Sequence, residues 1–163
     1  MMAGMGELFE TNRTYGVTVN GRIHAEVRER RSSPPVMNEI AGFLDRLDGT
    51  GRFSVRLWEL PARTPFDHVK FDQWPLHYLQ AAGHRDRMTL EVRRDGEPGH
   101  RHFVIGKSDT IEPMVSEEIQ WDAYTTAVFG VEVFTAAEAV PIFLSYWQTN
   151  DIPSGYRLRA LDL

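Results

Sequence analysis

Residues 15–27 read YGVTVNGRIHAEV, in which two strand-favouring runs flank the pair Asn20-Gly21. Asparagine and glycine readily adopt the positive φ angles that a two-residue type I′ turn requires. The stretch therefore predicts a β-hairpin with strands at Tyr15–Val19 and Arg22–Val27. The fold class then depends on the elements that follow this hairpin.

Strand patterns continue along the chain. Residues 52–60 and 88–93 alternate apolar and polar side chains, as half-buried strands do. Trp58 and Leu60 break the polar side of the first stretch, which indicates that its far end is covered. Turn residues follow the second stretch, so His100–Gly106 is predicted to return as its partner strand. Shorter strands are expected at Ile119–Trp121, Gly130–Phe134 and Tyr156–Leu161.

Helical spacing predicts a first main helix over Val36–Leu47, where apolar residues recur every three or four positions. Ser33 and Pro34 can cap and open this helix, and Gly49 can end it. A shorter helix is expected at Pro75–Gly83.

A second main helix is marked by its first residues, Thr135-Ala136-Ala137-Glu138. They form a capping box, in which the Thr135 hydroxyl can accept from the Glu138 amide while the Glu138 side chain reaches back. The helix is expected to continue past Pro141, which costs it a hydrogen bond, and to end near Asn150.

Together these elements predict one α+β domain over residues 1–163, with residues 1–12 frayed. The length agrees, because about 150 residues is typical of a single domain. We expect an antiparallel-rich sheet with the two main helices packed mostly on one face.

The charge of the chain is −5, from 18 basic and 23 acidic residues. This balance argues against a general nucleic-acid-binding protein, which needs an excess of lysine and arginine. The 3 basic and 9 acidic residues of 106–163 place the acidity in the C-terminal third. The absence of cysteine excludes disulfides and thiolate chemistry. With neither a signal-peptide pattern nor a long apolar run, we expect a cytoplasmic protein that does not span a membrane.

Residue patterns for catalysis and metal binding are weak. His100 and His102, two apart on a predicted strand, could contact one ion from the same side, but no third ligand accompanies them. Glu117 and Glu118 would point to opposite faces of a strand, which is poor geometry for shared acid–base chemistry. No G-x-S-x-G motif occurs. We therefore assign no catalytic residue, no metal site and no cofactor.

The segment Lys107–Asp122 is the strongest candidate for a functional surface. We interpret it as mostly loop, with five acidic side chains against one lysine and with apolar residues among them. Acidic groups can steer a protein toward a basic partner, and apolar side chains can then hold the contact. The candidate partner-binding residues are Asp109, Glu112, Met114, Glu117, Glu118, Trp121 and Asp122.

The C-terminal part reads VEVFTAAEA at residues 131–139 and IFLSYWQTNDIPSGYRLR at residues 142–159. A strand, a capped helix and the pattern Tyr-Trp-x-Thr-x-x-Ile-Pro before a final strand resemble small actinobacterial immunity proteins of polymorphic toxin systems. The resemblance covers about a fifth of the chain. It implies a small cytosolic protein that binds a toxin and neutralises it.

Two hypotheses of different classes follow. The first is a non-enzymatic immunity factor that covers the active site of a cognate toxin, a nuclease or an NAD-consuming enzyme, in a 1:1 complex. An acidic inhibitor suits such a target, because active sites that handle phosphates are generally basic. This protein would bind neither nucleic acid nor a membrane. The alternative is a small enzyme or ligand-binding α+β domain that uses His100, His102 or loop carboxylates.

Overall fold

Strands and helices occupy most of residues 15–27, 35–60, 77–94, 101–108 and 113–161, which are the residues that this computed structural model describes. The strands are β1 (Tyr15–Val19), β2 (Arg22–Val27), β3 (Ser54–Glu59), β4 (Tyr78–His84), β5 (Arg87–Arg94), β6 (Arg101–Gly106), β7 (Glu117–Trp121), β8 (Tyr124–Val128) and β9 (Arg157–Ala160). The helices are α1 (Val36–Asp45) and α2 (Ala136–Thr149), and a short 3-10 turn spans Gly130–Glu132.

Seven of these strands pair antiparallel in the order β2-β1-β3-β4-β5-β6-β9, while β7 and β8 form a separate two-stranded sheet. Leu57, Leu79 and Leu90 lie on one face of the large sheet and are buried. Both helices pack over this face and against each other, and Ile40 and Phe143 belong to the same core. The predicted α+β arrangement with two helices on one face is confirmed.

Local sequence signals set the first hairpin and the second helix. Asn20 and Gly21 have φ angles of 53° and 77°, as a type I′ turn requires. At the start of α2, the Thr135 hydroxyl accepts from the Glu138 amide at 3.2 Å, and the Glu138 carboxylate accepts from the Thr135 amide at 2.9 Å. The helix ends at Asn150, whose φ of 61° is left-handed. Both predictions are confirmed.

The second predicted hairpin is also present, because β5 and β6 pair antiparallel. Its turn residues and His100 lie outside the described ranges, as do Ser33 and Pro34. Helix α1 ends at Asp45, earlier than Gly49 indicated. Leu47, the last residue of the predicted stripe, is buried in the loop that follows the helix.

The short helix predicted at Pro75–Gly83 is wrong, because residues 78–84 form β4. This strand is central and its side chains are buried on both faces, so no polar alternation distinguishes it in the sequence. Pairing with β3 on one edge and β5 on the other outweighs the helical propensity of its Leu, Gln and Ala residues.

The strand predicted at Gly130–Phe134 is also wrong, because the segment begins with a 3-10 turn that buries Glu132. The Glu132 carboxylate accepts from Arg159 Nε at 2.7 Å and from the Phe129 amide at 2.9 Å. Arg157 Nη2 lies 3.3 Å from the same carboxylate. Burial alone would raise the pKa of Glu132, but these hydrogen bonds and the two arginine charges lower it. The carboxylate thus fastens the turn to β9.

A small apolar cluster of Trp58, Leu60 and Tyr78 lies on the sheet face opposite the helices. The Trp58 indole donates to Thr18 Oγ1 at 2.8 Å. Its ring lies so close over Gly16 that a Cβ at that position would overlap it. The predicted cover over the far end of β3 is therefore confirmed.

We expect Gly16→Ala to lower the free energy of unfolding by about 1–3 kcal/mol, because the buried, hydrogen-bonded Trp58 ring has no space to move. Gly42→Ala is the matched control, since position 42 on α1 is open and alanine favours a helix, so stability should hold or rise. Urea denaturation followed by tryptophan fluorescence measures both. A Gly16→Ala protein as stable as the wild type would contradict this packing.

We expect Glu132→Gln to lower the free energy of unfolding by about 3 kcal/mol at neutral pH, because it leaves Arg157 and Arg159 without their carboxylate. This value is at the low end of the range for a broken buried ion pair, since both arginines are partly exposed. A carboxylate with a lowered folded pKa contributes its stability above the unfolded pKa and loses it as pH falls through the folded pKa. The gap between wild type and variant should therefore close in acid. Glu138→Gln, at an exposed pair with Lys107, should cost less than about 1 kcal/mol. Urea titrations across pH provide the test, and a gap that widens in acid would refute it.

Candidate partner-binding surface

Strands β7 and β8 form a hairpin that the sequence reveals only in part, since Tyr124–Val128 was not predicted as a strand. We call residues 113–128 the acidic hairpin, because they contain Glu117, Glu118 and Asp122 and no lysine or arginine. Asp122 and Ala123 form its two-residue loop. The φ of Asp122 is 57°, a left-handed conformation that aspartate tolerates better than most residues.

The acidic hairpin is fixed to the body of the protein at a glycine. The Ile119 side chain is fully buried and lies against Gly83, where an added Cβ would approach Ile119 Cγ2 at 2.8 Å and the Arg87 carbonyl at 2.7 Å. Gly83 also has a φ of 126°, which other residues rarely adopt. At the loop of the hairpin, the Asp122 amide donates to the Gly49 carbonyl at 2.8 Å. Ile119 therefore anchors the hairpin from inside.

Arg87 on β5 engages the two adjacent glutamates differently. Its Nη2 lies 2.7 Å from Glu117 Oε1, and its Nε and Nη2 donate to the Glu118 carbonyl at 3.3 and 3.2 Å. The Glu117 side chain is half-buried and paired, whereas the Glu118 side chain is exposed. The expectation that the two side chains point to opposite faces agrees with this difference. Glu118 and Asp122 present the uncompensated charge of the hairpin.

Exposed apolar side chains concentrate on the same segment. Four large hydrophobic residues are exposed within the described part of the chain, and three of them are Met114 (68%), Val115 (42%) and Tyr124 (62%). The fourth, Met37, lies on α1. Scattered exposed apolar residues are ordinary, but three of the four on one hairpin make it a candidate contact surface.

The aromatic residues of the hairpin form a row with the body of the protein. The Trp121 ring lies 6.2 Å from the Phe53 ring and 5.3 Å from the Tyr124 ring, measured between centroids. The Trp121 indole donates to Thr126 Oγ1 at 2.8 Å, so its orientation is fixed. Trp121 is half-buried and supports Tyr124, which is the more exposed ring.

The structure places several predicted partner-binding residues on the acidic hairpin, at different points along its length. Met114, Glu118 and Asp122 are exposed, Trp121 is half-buried, and Glu117 is paired with Arg87. Asp109 and Glu112 lie outside the described residues. Val115 and Tyr124 are also exposed on the hairpin, although neither is among the predicted partner-binding residues. The β-branched residues after the Asp122-Ala123 turn are the feature of the sequence that could have predicted β8.

The other candidate chemistry is placed differently. His102 Nε2 lies 2.5 Å from Glu91 Oε1, on the sheet face opposite the helices. His77 stacks on Tyr146, and His84 lies beside Asp86. Within the ranges that the structure describes, no three His, Asp or Glu side chains are grouped to hold a metal ion. Nor does any helix in those ranges combine the length and apolar character needed to cross a membrane.

The chain matches no protein-family model, no curated protein and no solved structure. The geometry of the acidic hairpin is accordingly the main support for a functional assignment.

Proposed function

We propose that this chain is a binding protein that uses the acidic hairpin to contact a basic surface of a partner protein. The observation that carries the proposal is that Met114, Val115, Tyr124 and the carboxylates of Glu118 and Asp122 are all exposed on this one hairpin. Carboxylates raise the rate of encounter with a basic surface, and apolar side chains lower the rate of dissociation once water is excluded.

The way the hairpin is held supports this use. Ile119 is buried against Gly83, Arg87 bonds the backbone of the hairpin, and Asp122 bonds the loop that contains Gly49. A surface that is ordered before binding loses less conformational entropy when the partner arrives. A short hairpin fixed at its middle and at its loop can therefore serve as a preformed contact element.

The narrower proposal concerns the partner. The likeness of residues 131–159 to immunity proteins supports a toxin enzyme, a nuclease or an NAD-consuming toxin, that is neutralised in a 1:1 complex. Active sites that bind phosphate groups carry positive charge, so the carboxylates of the acidic hairpin would complement the entrance of such a site. The product of the gene adjacent to the one for this chain is the first partner to examine.

The double variant Glu118→Gln, Asp122→Asn tests how much the carboxylates contribute to the rate of association. Asparagine is chosen at position 122 because it tolerates the left-handed backbone there. With the adjacent-gene product as partner, we expect the association rate constant to fall about tenfold at low salt and to lose most of its salt dependence. Surface plasmon resonance at several salt concentrations measures this. Unchanged association at every salt concentration would exclude a steering role for the acidic hairpin.

The contribution of the exposed apolar side chains to the lifetime of the complex is tested by replacing them on the hairpin and, as a control, on α1. Met114→Ala and Tyr124→Ala are expected to raise the dissociation rate constant about tenfold or more, because each removes apolar area from the contact. Met37→Ala on α1 is the matched control and should leave binding unchanged. If Met37→Ala weakens the complex and the hairpin variants do not, the surface is misassigned.

If the neighbouring product neither binds this chain nor harms cells that lack it, the proposed toxin partner is wrong.

A further inference from the structure

The sheet face opposite the helices carries a set of charged side chains that the acidic hairpin does not involve. Arg93 on β5 lies between Tyr78 on β4 and His102 on β6, which are its register partners. Directly opposite residues on one sheet face have neighbouring side chains. Tyr78 is almost fully buried, and its ring meets that of His102 edge to face at 6.2 Å.

The carboxylate nearest to Arg93 along its own strand is already engaged. Glu91 lies two residues before Arg93 and therefore on the same face. Its Oε1 is 2.5 Å from His102 Nε2, without the alignment of a regular hydrogen bond, and both side chains are only 14% exposed. Glu91 thus faces the imidazole rather than the guanidinium group.

The Arg93 guanidinium is left uncompensated. Among the contacts of the described residues it makes no hydrogen bond and no ion pair, and its Nε is buried without a partner. A buried donor of a charged group normally has a partner, and one that lacks a partner requires an explanation. A second guanidinium contacts the same tyrosine, since Arg56 on β3 stacks 4.5 Å from the centre of the Tyr78 ring while its Nε donates to Gln80 Oε1.

We propose that Arg93, with Arg56 on the other side of Tyr78, binds an oxyanion on this face, the phosphate or carboxylate group of a small molecule. A guanidinium presents parallel N–H donors that match the two oxygens of either group. The aromatic rings of Tyr78 and His102 flank this position. This site is separate from the acidic hairpin and opposite to it in charge, so it does not depend on the proposed partner.

Thermal unfolding of the full chain tests the site, with inorganic phosphate and acetate each compared with chloride at equal ionic strength. We expect at least one of the two anions at about ten times its Kd to raise the Tm of the wild type by about 3–5 °C. Arg93→Gln should lose this increment, and Arg22→Gln, at an exposed position on β2, should keep it. General salt effects act on all three proteins and cancel in the comparison. The anion that gives the larger increment distinguishes a phosphate ligand from a carboxylate ligand.

A second measurement uses only the wild-type protein, so it does not require the Arg93→Gln variant to fold. In a nuclear magnetic resonance titration with the same anions, the imidazole signals of His102 should shift and saturate. Those of His24, which lies beside Phe43, should not. An equal Tm increment in wild type and Arg93→Gln would overturn the proposal. So would a titration in which His102 does not respond to either anion, or responds no more than His24.

Discussion

Side chains alternate between the two faces of the seven-stranded sheet, and α1 and α2 lie over only one of them. Every second residue of the central strands enters the apolar core, so the intervening residues must find their own partners on the other face. They do so in different ways: Trp58 bonds Thr18, Arg56 bonds Gln80, and the arginines of β9 surround Glu132. The buried Nε of Arg93 has no hydrogen-bond partner among the described residues, and because it belongs to a charged group a ligand is inferred there.

The acidic hairpin depends on the same sheet through one backbone position. Gly83 ends the buried run of β4 and leaves space for Ile119, so the hairpin packs directly on the strand. Because Ile119 points inward, the alternation along β7 turns Glu118 outward. The exposure of Glu118 thus follows from one apolar anchor and the alternation of side chains along the strand.

Much of the fold could be predicted from the sequence where the determining interactions are local. The Asn20-Gly21 turn and the Thr135–Glu138 capping box act within four residues, and both formed as expected. Predictions failed where distant residues decide the structure. β4 reads as a helix because its strand character comes from its neighbours in the sheet.

The candidate site shows the same division between local and distant causes. The acidic and apolar composition of Lys107–Asp122 indicated a surface, and Met114, Glu118 and Asp122 are exposed on it. The pairing of Glu117 with Arg87 depends on a residue thirty positions earlier, so composition could not reveal it. Glu132 was equally hidden, because an acidic residue in an apolar run gives no sign of the arginines that surround it.

The strand order has a consequence for the kinetics of folding. From β3 to β6 each strand pairs with the next one along the chain, and the β4–β5 and β5–β6 connections have only two and six residues, so these two pairings can form early. β9 instead returns to β6 after the hairpin, the 3-10 turn and α2 have intervened, so this pairing closes a long loop, as does the pairing of β1 with β3 across β2 and α1. The bonds from Arg157 and Arg159 to Glu132 span a shorter stretch and hold β9 near the turn. Because these bonds hold β9 beside the turn, we expect the Glu132 carboxylate to reduce the conformational search by which β9 pairs with β6.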